Sequence, residues 1–167
     1  MTLDDLNTIP PARATELFTA CCGSSSWVSQ LVARRPFQSL DAVLSAADEV
    51  WSSLAKEDWL EAFAHHPRIG ETTSRVAQTD RAREWSAAEQ SGATRAAESV
   101  AQAQRDLNAQ YERRFGYIYI VSATGKAPTE MLALVRDRLS NDPVTELKVA
   151  AEEQRKITRL RLKKLLG

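Results

Sequence analysis

Tyr117-Ile118-Tyr119-Ile120-Val121-Ser122-Ala123 is the stretch on which the fold class turns. It is the one run rich in β-branched and aromatic residues, a composition that favours extended backbone on a half-buried surface. A stable sheet needs further strands, and no other segment offers one. The run therefore reads as an extended segment buried among helices. Each backbone N–H and C=O that it buries needs a partner. Side chains and water can supply those partners, and so can a bound polar ligand, so the run by itself leaves both readings open.

Working outward, the flanking sequence is helical. Ala96, Val100, Ala103, Leu107, Tyr111 and Phe115 recur at helical spacing. With Gly116 as a typical residue just past a helix end, they predict a helix over 94–115, the longest in the chain. Thr124-Gly125-Lys126 turns the chain, and 128–139 reads as a helix with Leu132, Val135 and Leu139 inward. Asn141-Asp142-Pro143 caps and starts the last helix, which runs through Leu147, Ala150, Ile157 and Leu160. Its basic end, Arg159, Arg161, Lys163 and Lys164, reads as complement to the helix dipole and as solvated surface.

The first half follows the same logic. Residues 2–7 form a short lead-in. Pro10-Pro11 starts a helix through Ala14, Leu17 and Phe18 to about Cys22, broken by Gly23 and the serines 24–26. Residues 27–32 read as a short helix ended by Arg34-Arg35-Pro36. Ser39 is a plausible N-cap for a longer one, whose residues Leu40, Val43, Leu44, Ala47, Val50, Trp51 and Leu54 form a single buried stripe. A further helix covers 56–65. Residues 71–83 are polar and read as a surface excursion. Ser86 with Glu89 three residues on matches a capping box. The expectation is an all-α, single-domain bundle of about eight helices over 1–167, with one buried extended segment.

Composition narrows the function. Lys+Arg and Asp+Glu are 22 each, so the formal net charge is zero, and nothing recommends nucleic acid or an anionic membrane as partner. The two cysteines, Cys21 and Cys22, are adjacent and read as small hydrophobes at a helix end. Two Cys and two His without ligand spacing argue against a metal site. No apolar run approaches membrane-spanning length, and the N-terminus lacks a basic-then-apolar signal. A reducing, cytoplasmic setting is the default.

Both histidines fall in Ala64-His65-His66-Pro67-Arg68-Ile69-Gly70-Glu71. An amphipathic helix over 58–63 leads into it, and Pro67 stops that helix, because the residue before a proline is pushed out of the helical region. His66 is thus held by a rigid element at the point where its ring can face a pocket. Histidine also changes charge nearest neutral pH. A histidine at a helix end is equally a cap for the last carbonyls, so other residues must decide between the two.

Several separate pieces do so together. They are His66-Pro67-Arg68-Ile69-Gly70, Ser86-Ala87-Ala88-Glu89-Gln90-Ser91-Gly92, and Leu107-Asn108 with Tyr111 and Arg114-Phe115-Gly116. Tyr119-Ile120-Val121-Ser122-Ala123-Thr124-Gly125-Lys126 and Arg138-Leu139 with Asn141-Asp142 complete the series. In this order, across nearly the whole chain, the sequence resembles the OHCU decarboxylases, which act on 2-oxo-4-hydroxy-4-carboxy-5-ureidoimidazoline (OHCU) in urate breakdown. The resemblance implies an all-helical homodimer with no metal and no organic cofactor. It implies decarboxylation of OHCU to (S)-allantoin, the third step of urate degradation. It implies His66 as the catalytic acid. Pro67, the segment Ser86, Ala87, Ala88, Glu89 and Gln90, and the segment Ile120, Val121, Ser122, Ala123 and Thr124 would line the substrate. The family often has Cys where this chain has Ser122, a change that a backbone contact survives. Whether the chain works alone or coupled to the preceding 5-hydroxyisourate hydrolase is left open.

The chemistry suits these residue types. Losing carbon dioxide leaves an electron pair on the carbon that bore the carboxylate, and many decarboxylases borrow a cofactor to accept it. OHCU carries its own acceptor, a ring C=N beside that carbon. The protein must align the breaking bond with that C=N, stabilise charge developing on the ring, and protonate one face only. His66 suits the proton transfer, with a pKa expected near working pH. Glu89 is the expected catalytic partner, bonding His66 or the 4-hydroxyl, and Gln90 offers a donor and an acceptor to a ureido or ring amide. Arg68 reads as surface. The reading from another class is a catalytically inactive helical protein that binds a ureido or purine-derived ligand. The presence of His66, Glu89 and Gln90 speaks against it.

Overall fold

The computed structural model describes residues 1–67 and 98–167. Eight helices lie among them, and no strand does: α1 Leu3–Thr8, α2 Pro11–Cys21, α3 Ser25–Ala33, α4 Leu40–Ser53, α5 Lys56–Ala64, α6 Glu98–Phe115, α7 Pro128–Leu139 and α8 Pro143–Leu166. The all-α expectation holds. The expected surface excursion over 71–83 and the capping box of Ser86 and Glu89 lie outside the described residues.

Local chemistry explains most helix starts. Ser24, Ser39 and Asp142 accept from backbone N–H groups of the first turns of α3, α4 and α8, satisfying donors that have no partner inside the helix. One of the serines read as a break is thus the cap that begins α3. The lead-in is itself a helix, α1, closed by a reciprocal capping box between Thr2 and Asp5. The longest described helix is α8, with 24 residues, rather than the one ending at Phe115.

The core is in two parts. The larger gathers Leu6, Phe18, Trp27, Leu31, Val43, Val50, Phe63, Ala150, Ile157 and Leu162 from α1–α5 and α8. The smaller gathers Tyr111, Met131 and Val135 from α6 and α7. The extended segment joins them. Ile118 and Ile120 enter the larger cluster, whereas Tyr119, Val121 and Ala123 enter the smaller one. This is the alternation of a β-strand, whose successive side chains point to opposite faces, used here between two helical layers. The β-like composition is therefore explained without a sheet.

α8 braces the assembly. The Trp51 indole donates to the Ala151 carbonyl at 2.9 Å, and Arg155 and Arg159 both reach Asp48 of α4, at 2.9 and 2.6 Å. In the first turn of α8, the fully buried Glu146 carboxylate accepts from Arg138 Nη2 at 2.6 Å and Nε at 2.8 Å, from the Tyr111 hydroxyl, and from Asn141. Arg138 also donates from Nη1 to the Ile120 carbonyl at 2.6 Å and from Nη2 to the Tyr111 hydroxyl at 3.3 Å. A buried ion pair is tolerable only when its other hydrogen-bonding capacity is filled, as it is here.

α6 departs from its expected face. Tyr111 is fully buried, but the other buried side chains are Gln104 and Asn108, while Val100, Ala103, Leu107 and Phe115 are half-buried. The Gln104 amide donates to Asn108 at 2.8 Å, so a polar pair runs through the buried side of this helix.

Candidate active site

α5 is aimed by polar contacts to the start of α3. Glu61 accepts from the Ser25 backbone N–H and hydroxyl, both at 3.0 Å, and Asp58 accepts from Ser26 at 2.7 Å. The helix ends at Ala64, His65 caps it in helical geometry, and the His66 N–H still reaches the Phe63 carbonyl at 3.1 Å. Phe63 fills the core, so the chain delivers His66 and Pro67 inward, and both are buried. Gly23 lies against His65, so the loop between α2 and α3 forms a wall beside this turn.

His66 is only 7 % exposed. Its Nε2 lies 2.6 Å from Oε1 of Gln154, which is fully buried on α8. The Gln154 amide nitrogen in turn donates to the Thr158 hydroxyl at 3.1 Å, one turn further along. Arg161, 3 % exposed, completes this stretch of α8 and reaches the Ala20 carbonyl at 3.5 Å. Burial chiefly, then the Arg161 charge, push the His66 pKa down to about 3, against the opposing effect of the Gln154 hydrogen bond. His66 is therefore a neutral imidazole at neutral pH. This corrects the expectation of a group titrating near working pH: taking the ring out of water disfavours its charged form.

A second correction concerns Arg161, read from sequence as solvated surface. It is buried beside the imidazole. The sequence held a usable signal, because the stripe Leu147, Ala150, Ala151, Gln154, Ile157, Thr158, Arg161, Leu162 and Leu165 keeps helical spacing without a gap. Gln154, Thr158 and Arg161 occupy positions that an apolar face would fill with hydrophobes. Gln154 and Thr158 were not singled out at all.

The extended segment is held through its backbone. The Ser122 N–H donates to Glu153 of α8 at 2.7 Å, and the Ser122 carbonyl accepts from Lys126 at 2.6 Å. With Ile120 bonded to Arg138, side chains meet these particular backbone needs. Ile120, Val121 and Ala123 are buried. Ser122 and Thr124 line a cavity of about 330 Å³ with Arg155, Lys156, Arg159, Leu160 and Lys163. At 3.6 residues per turn, 155, 159 and 163 lie on a different face of α8 from 154, 158 and 161. Ser86, Ala87, Ala88, Glu89 and Gln90, and Arg68, lie outside the described residues. No group of three His, Cys, Asp or Glu side chains gathers as metal ligands among the described residues.

The arrangement offers a neutral imidazole for proton transfer, a buried guanidinium that favours an anion nearby, and a rigid helix holding both. The family model for OHCU decarboxylase matches residues 7–163. The uric acid degradation bifunctional protein TTL of Arabidopsis thaliana is 41 % identical over 88 % of this chain, which spans 45 % of that protein. The 2-oxo-4-hydroxy-4-carboxy-5-ureidoimidazoline decarboxylase of Haloferax volcanii is 27 % identical, over 97 % of this chain and 94 % of its own. A crystal structure of an OHCU decarboxylase in the presence of (S)-allantoin superposes with a TM-score of 0.77 at 34 % identity, covering 90 % of this chain and 96 % of that one.

Proposed function

This chain belongs to the OHCU decarboxylase family, and we propose that it converts OHCU to (S)-allantoin with His66 as the proton-transfer residue. The observation that carries the residue assignment is the burial of a neutral His66 imidazole between Gln154 and Arg161 of α8. Arg161 holds the substrate carboxylate in this reading. The bond from that carboxylate to C4 breaks, carbon dioxide leaves, and the electron pair enters the ring C=N. A proton from solvent neutralises the ring nitrogen. The 4-hydroxyl gives its proton to His66 as the ring carbonyl forms, and the imidazolium then protonates C5 on one face. His66 is thus an acid only after it has been a base.

Glu89 is the proposed partner of the 4-hydroxyl or of His66. Pro67, Ser86, Ala87, Ala88, Gln90 and the segment Ile120, Val121, Ser122, Ala123 and Thr124 are the proposed substrate lining. The chain needs no metal or organic cofactor in this mechanism, since the substrate supplies its own electron acceptor. It works as one domain over 1–167, as a homodimer, in the cytoplasm, and takes its unstable substrate from a 5-hydroxyisourate hydrolase. No helix among the described residues is long and apolar enough to cross a membrane, which is compatible with that setting.

Circular dichroism on freshly generated OHCU tests the reading. Rapid growth of the (S)-allantoin signal is expected with the wild-type chain and background decay with His66→Ala, which should remain folded. A His66→Ala variant as fast as wild type would remove His66 from the mechanism. Binding without turnover by the wild type would favour the inactive binding protein.

A further inference from the structure

We propose that Gln154 is a positioning residue that selects the tautomer of His66 with its proton on Nε2, so that Nδ1 is the atom that exchanges a proton with the substrate. This rests on His66 being the proton-transfer residue. A neutral imidazole has one N–H and one lone pair, and which nitrogen carries which is set by the partner of either one. Here Nε2 lies 2.6 Å from Gln154 Oε1. A primary amide can offer an imidazole either its oxygen or its NH₂ group, so the far end of the amide must settle the matter.

The far end meets Thr158. The Gln154 NH₂ group lies 3.1 Å from the Thr158 hydroxyl oxygen, which accepts from it. Thr158 makes no bond to the carbonyl one turn back, unlike Thr15 and Thr19, which donate to Pro11 and Thr15. The direction then runs from His66 Nε2–H to Gln154 Oε1, and from the Gln154 NH₂ group to the Thr158 hydroxyl. His66, Gln154 and Thr158 are all buried, so water does not compete for these bonds. The amide is pinned at both ends, which locks the ring plane as well as the tautomer. An orienting partner of this kind acts through the histidine and does not touch substrate.

The assignment has a chemical consequence. With the proton held on Nε2 by a neutral acceptor, Nδ1 presents its lone pair to an incoming hydroxyl. A carboxylate in place of Gln154 would stabilise imidazolium and blunt the return of the proton to carbon. The charged or titratable described groups acting on His66 are Arg161 on α8 and His65 in its own turn.

Nitrogen NMR of the full chain labelled in its histidine rings tests this directly. The chain has only two histidines, and His66→Ala assigns the pair. The wild-type spectrum should show a neutral His66 with its proton on Nε2, and a proton on Nδ1 would overturn the proposal. Gln154→Leu should lose the tautomer preference and lower kcat at least tenfold with little change in KM. An unchanged kcat would equally overturn it. Gln154→Glu should raise the His66 midpoint and move the acid limb of the kcat profile upward with it, and a profile that stays fixed would sink the link between tautomer and turnover. Full activity of His66→Ala would overturn the proton-transfer reading and with it the role of Nδ1, while the tautomer itself is read separately from the wild-type spectrum.

Discussion

Gly23 lies so close to His65 that a Cβ built on the glycine would fall 2.3 Å from His65 Cγ. No real Cβ comes that near a ring carbon. The loop between α2 and α3 therefore sets how far the His65–His66 turn can move toward it. Gly23→Ala must displace the His65 ring or the loop, and overpacking of this kind costs about 1–3 kcal/mol. The expected outcome is a lower urea midpoint together with reduced turnover, since His66 follows His65 in the chain. Urea melts with unchanged m-value, paired with kcat, check it.

The Arg138–Glu146 pair should be strongly asymmetric under mutation. Glu146→Ala leaves a buried guanidinium uncompensated and should cost about 3–5 kcal/mol. Replacing both residues with apolar side chains of similar volume should cost much less, because no unpaired charge remains. Tyr111→Phe removes one donor to the carboxylate and should cost about 1.5–3 kcal/mol. A double-mutant cycle by chemical denaturation separates these, and equal costs for the single and double variants would contradict the geometry.

Stability should fall on both sides of neutrality. His66 has a folded pKa of about 3 against an ordinary value of 6.5, so below pH 6.5 the unfolded chain binds a proton that the folded chain refuses. The stability is fully present above 6.5 and is lost as pH falls toward 3, at roughly 1.4 kcal/mol per pH unit for this one group. Cys22 works in the opposite direction. Burial raises its thiol from 9.0 to about 11, so its contribution is intact below 9 and lost as pH rises toward 11. Denaturation midpoints across pH should show a steeper acid limb in the wild type than in His66→Gln, and a steeper alkaline limb than in Cys22→Ser.

Arg161→Gln should act on two observables at once. Removing the positive charge takes away one of the causes that depress His66, so its NMR midpoint should rise. Losing the guanidinium should also lower kcat/KM for OHCU at least tenfold, or ~1.4 kcal/mol of transition-state stabilisation. Arg161→Lys keeps the charge but not the planar fork, so the midpoint should stay low while kcat/KM still falls. A Lys variant with full activity would deny Arg161 a role in holding the carboxylate.

The sequence by itself determined most of the helices, the caps at Ser39 and Asp142 and the extended segment, because each follows from rules that act within a few residues. Ser39 and Asp142 cap by their own side chains, Pro67 ends α5 by its ring, and the alternation of Ile118, Tyr119 and Ile120 is a property of extended backbone. His66 was legible for the same reason, as a histidine at a proline stop within a recognisable motif. What surrounds His66 was not. Gln154 stands 88 residues away, and no spacing rule connects the two. Gln154, Thr158 and Arg161 sit in the buried stripe of α8, where only the packing of that helix against α2 and α4 takes them out of water. Burial and long-range pairing belong to the tertiary structure, and they turned an ordinary histidine into a neutral imidazole and a basic helix end into part of a site.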